Sequence, residues 1–147
     1  MTTLKRFLLA VVLIVAAHTA LRAQGPALTA QDYYTYGRYF LSENLQDAEA
    51  IGNADLRAFA VALFEDDCAK AADLKSPDLA LILRGVCSGL TFPKEFEQIQ
   101  DPDWKRFTGL IYFWEPEFME GYKSPHMAHL AKALYYRDAK LLEPILK

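Results

Sequence analysis

Strand signals are almost missing from this chain. No run of β-branched residues alternates with polar ones, no Asn-Gly or Asp-Gly pair marks a tight hairpin, and valine and threonine are sparse beyond residue 23. A β-rich fold is thereby excluded. Catalytic punctuation is absent too: there is no Gly-x-Ser-x-Gly, no His-Glu-x-x-His, no glycine-rich phosphate loop and no Cys-x-x-Cys. Serine occurs only as Ser42, Ser76, Ser88 and Ser124. No run of Lys or Arg offers a phosphate-binding stripe, so nucleic acid is not an expected partner.

What is present begins with an export segment. Lys5 and Arg6 form a cationic head, residues 7 to 17 are an unbroken apolar run, and small and polar residues follow up to Ala20 and Ala23. This is the layout of a secretory signal peptide. His18 and Arg22 end the run before the roughly 20 apolar residues that a membrane span needs. Cleavage is expected after Ala23, with Ala20 as the alternative, leaving no stable membrane anchor. Residues 24 to 147 then form one helical domain in an extracytoplasmic setting, periplasmic or secreted. Loss of Lys5, Arg6 and Arg22 leaves 13 basic against 19 acidic residues, a formal charge of −6. Such a surface disfavours polyanions and anionic membranes. An oxidising compartment lets the two cysteines, Cys68 and Cys87, pair.

Helix starts recur along the mature chain. Ser76-Pro77-Asp78, Asp101-Pro102-Asp103 and Ser124-Pro125-His126 each set a capping side chain before a proline, and Asn53-Ala54-Asp55 does so without the proline. Counted from each cap, apolar residues fall at offsets three, six and ten. They are Leu56, Phe59 and Leu63; Leu79, Ile82 and Val86; Trp104, Phe107 and Ile111; Met127, Leu130 and Leu134. Shorter helical segments are expected after each, at 66–74, 93–99, 115–122 and 138–146. A fifth, atypical copy spans 29–51, with helices near 32–41 and 46–51. The expected architecture is all-α: a small bundle or short solenoid of four to five helical hairpins in units of 23–25 residues.

The stretch Ser124-Pro125-His126-Met127-Ala128-His129-Leu130-Ala131 is similar to the Thr-Pro-Leu-His-x-Ala opening of ankyrin repeats. The chain thus faintly resembles the ankyrin and tetratricopeptide families of stacked helical hairpins. The resemblance covers helix starts over about 95 residues, and the 23–25-residue spacing is shorter than the ~33 of those families. It implies protein binding on a concave face and transfers no functional residue.

Side chains outside the periodic core positions are the candidates for function. Tyr and Trp supply rigid area with a polar handle at interfaces, which selects Tyr34, Tyr112, Phe113 and Tyr135 as an interaction surface. His126 and His129 share one helix face and are candidate copper or zinc ligands. Glu117 and Glu120 are the carboxylate pair that a small hydrolase would use. The leading expectation is a non-catalytic, exported protein-binding module: an inhibitor, an immunity factor or an assembly adaptor. Its partner is another protein, a second copy of itself included, and no cofactor is expected. The hydrolase and the periplasmic metal binder are the alternatives.

Overall fold

The computed structural model of the protein describes residues 27–89 and 92–147, so the expected signal at residues 1 to 23 lies outside them. Every element among the described residues is helical. Five long helices, α1 (Ala30–Ser42), α3 (Ala54–Glu65), α4 (Pro77–Ser88), α6 (Pro102–Phe113) and α7 (Pro125–Tyr136), each precede a short segment. The short segments are α2 (Leu45–Glu49), the 3-10 turns η1 (Cys68–Ala72) and η2 (Pro116–Met119), α5 (Phe92–Gln98), and the 3-10 stretch η3 (Ala139–Leu146). No described helix is long and apolar enough to cross a membrane.

Local chemistry explains both ends of each long helix. Asn53 and Asp101 each accept two amide hydrogens of the turn they open, at 2.8–3.0 Å, and Ser76 and Ser124 accept one each at 3.3 Å. Thr29 and Asp32 form a reciprocal capping box at the start of α1. At the other end the chain leaves every long helix through one residue in the left-handed region: Glu43, Asp66, Gly89, Trp114 and Arg137, with φ between 50° and 59°. Measured back from these residues, Ala30 takes the place of the cap in α1. Tyr33, Tyr36 and Phe40 then fall at offsets three, six and ten, so α1 follows the pattern of the other four.

The expected core positions are corrected in one respect. Offsets three and six are buried at Leu56, Phe59, Leu79, Ile82, Phe107, Met127 and Leu130. At offset ten, however, Val86 is 48% exposed, and only Leu134 is fully enclosed. Offset seven is buried instead in all four helices, by Ala60, Leu83, Thr108 and Ala131. The single-stripe rule assumes burial from one side. These helices are covered from two sides, and their last turns emerge at an exposed edge. Three of the expected short helical segments are 3-10 turns, because one or two turns between loops form too few i to i+4 bonds to enforce the wider helix.

Each short segment packs against its own long helix and the next one. α2 lies against α1 and α3, η1 against α3 and α4, α5 against α4 and α6, and η2 against α6 and α7. η3, with no next helix in the chain, lies against α7 and α1, and α7 also packs directly on α1. The contacts therefore run in a closed circuit rather than only between sequence neighbours. Gly37 permits the closing approach: a Cβ there would stand 2.6 Å from Leu142 and 2.8 Å from Leu130. Inside the circuit the buried Tyr36 ring meets Phe59 of α3 and Trp104 and Phe107 of α6 at centroid distances of 6.1–6.3 Å.

Candidate functional site

The long helices bring their N-termini to one edge, where three carboxylates repeat one arrangement. Asp55 accepts the amides of Lys75 and Ser76, Asp78 those of Gln100 and Asp101, and Asp103 those of Lys123 and Ser124, at 2.7–2.9 Å. Each aspartate sits two residues past its own cap and clasps the cap of the next long helix. Asp32 does the same for α3, accepting from Asn53 at 2.7 Å. Burial alone would raise the Asp32 carboxyl. Hydrogen bonds from Thr29, Asn53 and Gly52 outweigh it and hold the group below the usual carboxylate range. At the fifth position the residue is His126, whose ring lies 5.7 Å from that of Tyr33 on α1. The Tyr33 hydroxyl faces the Ser124 side chain. Burial, then the Asp101 and Asp103 carboxylates, push this phenol up and keep it protonated.

The opposite edge collects the C-terminal ends, and its contacts are continuous. Cys68, just after α3, is bonded to Cys87 in the last turn of α4, with S–S 2.12 Å and Cα–Cα 5.9 Å. The pair fits an oxidising compartment. The Tyr112 hydroxyl on α6 donates to the Gly89 carbonyl at the end of α4, at 3.1 Å. Trp114 stacks on Tyr135 of α7 at 5.5 Å, and the Arg137 guanidinium lies 5.9 Å from the Trp114 ring centre. Large side chains stand in water along this edge: Phe64, Tyr112, Phe113, Trp114 and Tyr136 are 42–61% exposed.

Of the expected surface residues, Tyr112 and Phe113 are exposed and Tyr135 is half-buried at this edge. Tyr34 is half-buried near the N-terminal end of α1 and does not belong to it. Trp114 and Tyr136 escaped the sequence reading, Trp114 because it shares a helical face with Phe107 and Ile111. The left-handed turn at residue 114 rotates its ring out of that face. His126 and His129 are half-buried on α7, and the one cluster of three ligand-type side chains among the described residues is Asp66, Cys68 and Cys87. Two of those are already joined to each other. Glu117 and Glu120 are exposed. A shallow groove runs along α3 between Glu49, Arg57, Glu65 and Lys70, apart from both carboxylates. No protein-family model matches the chain, and neither does any curated protein or solved structure.

Proposed function

We propose that the protein is an exported, non-catalytic recognition module of five helical hairpins that binds another protein through the edge where its long helices end. The observation that carries this reading is the row of exposed rings at Tyr112, Phe113, Trp114 and Tyr136. Exposed apolar area in a continuous patch marks an interaction site more often than scattered single residues do. Aromatic rings and Arg are also the side chains that dominate interface energetics. The disulfide supports work outside the cytoplasm, and the apolar N-terminal run supports the route there.

Affinity capture from the native host, with the mature protein and with a Trp114→Gly, Tyr136→Ala double variant, tests the reading. A stoichiometric partner is retained by the first and lost by the second. Capture of no partner, together with a stable homodimer, overturns the adaptor role. Mass spectrometry of the exported form should find Gln24 as its first residue; an intact Met1 sinks the export claim.

A further inference from the structure

We infer that the segment this edge receives is cationic: a stretch of the partner in which Lys or Arg alternates with apolar side chains. The inference rests on the recognition reading above and adds the chemistry of the partner. Three independent features of the edge favour positive charge. The long helices end here, and the carbonyl end of each forms the negative pole of its dipole. Carboxylates stand in the same corners, at Asp66, Asp67, Glu115, Glu117 and Asp138, and outnumber the cations Lys70, Lys94, Arg137 and Lys140 of those segments. Between them lie ring faces whose quadrupole attracts cations, and Arg137 already occupies one, 5.9 Å from the centre of Trp114.

The same charges argue against a second copy of this chain as the occupant. Two such edges meeting face to face would bring like charges together, which costs several kcal/mol at an interface. They argue equally against a polyanion.

The test is an NMR titration of the 15N-labelled mature protein with three short synthetic peptides: one alternating Lys and Leu, one alternating Glu and Leu, and one alternating Lys and Ser. The Lys–Leu peptide is expected to shift amides of residues 64–68, 87–89, 112–117 and 135–138, and to bind more weakly as salt rises. The Glu–Leu peptide is expected to shift none, and the Lys–Ser peptide to bind more weakly than Lys–Leu. Trp114→Gly, which suits the left-handed backbone, and the exposed pair Glu115→Lys, Glu117→Lys should each weaken the Lys–Leu peptide about tenfold. Equal binding of the Glu–Leu peptide overturns the inference. So do shifts centred elsewhere, no shift with Lys–Leu, or an unchanged affinity in the charge-reversed variant. A natural partner that is lost with Trp114→Gly, Tyr136→Ala yet indifferent to the charge reversal would sink the cationic chemistry and leave recognition standing. Failure of the capture itself would sink recognition.

Discussion

The two edges of the ring of helices solve the same problem in different ways. Every helix end leaves backbone groups without intrahelical partners. At the N-terminal edge those groups are answered twice: by the helix's own cap, and by the preceding aspartate that clasps the cap's amide. At the C-terminal edge one left-handed residue closes each helix, as in the Glu43 to Tyr39 and Trp114 to Leu110 bonds, and the side chains turn outward. The first edge holds the units together. The second turns its rings to water while the disulfide, the Tyr112–Gly89 bond and the Trp114–Tyr135 stack tie its helix ends together.

This contrast is open to measurement. The largest effect belongs to the clasped edge: Asp78→Ala strands the Gln100 and Asp101 amides and should cost about 3 kcal/mol in urea unfolding. Asp66→Asn, at the other edge, should change stability by less than about 0.5 kcal/mol. Replacing Cys68 and Cys87 by serine should cost nearly as much as Asp78→Ala, roughly 3 kcal/mol by chain entropy. That would show that the single covalent cross-link of the free edge contributes about as much as one clasp of the other. Gly37→Ala presses on the flexible tips of Leu142 and Leu130 and should cost about 1 kcal/mol, loosening the contact of η3 with α1.

The Asp32 carboxyl lies below its usual range when folded, so it stabilises the fold above that range, and the contribution fades as pH falls through the folded value. Asp32→Asn should therefore flatten the acid limb of a plot of stability against pH. A limb of unchanged slope would show that the Asp32 clasp adds nothing. The smallest expected effect is on the open edge. Trp114→Gly loses the stack on Tyr135 and the contact with Arg137, about 1 kcal/mol. It relieves a left-handed residue worth about the same. Thermal unfolding should barely move while partner capture is lost.

Much of the fold was legible because capping and periodicity are local. Pro77, Pro102 and Pro125 with their capping neighbours marked three helix starts correctly, and Cys68 with Cys87 marked the cross-link. Less of the candidate site was legible. Tyr112 and Phe113 were found because they lie off the periodic face. Trp114 was hidden by sharing that face in sequence, and Tyr34 was included although it lies at the other end of its helix. The aspartates two residues past each cap were visible as a pattern, but their partners lie 20 to 23 residues away. No local rule connects a carboxylate to amides at that distance.

The sequence by itself determined the class of structure, four of the five long-helix starts and the cross-link, since each follows from forces acting within a turn or from the chemistry of a single pair. Only the tertiary structure decided that the last hairpin returns to the first. That outcome depends on contacts between residues far apart in sequence, those of α7 and η3 with α1. Gly37 and the Tyr33–His126 contact record the answer. The packing of α7 on α6 likewise set Trp114 against Tyr135 and put Tyr136 at the same edge as Tyr112, Phe113 and Trp114.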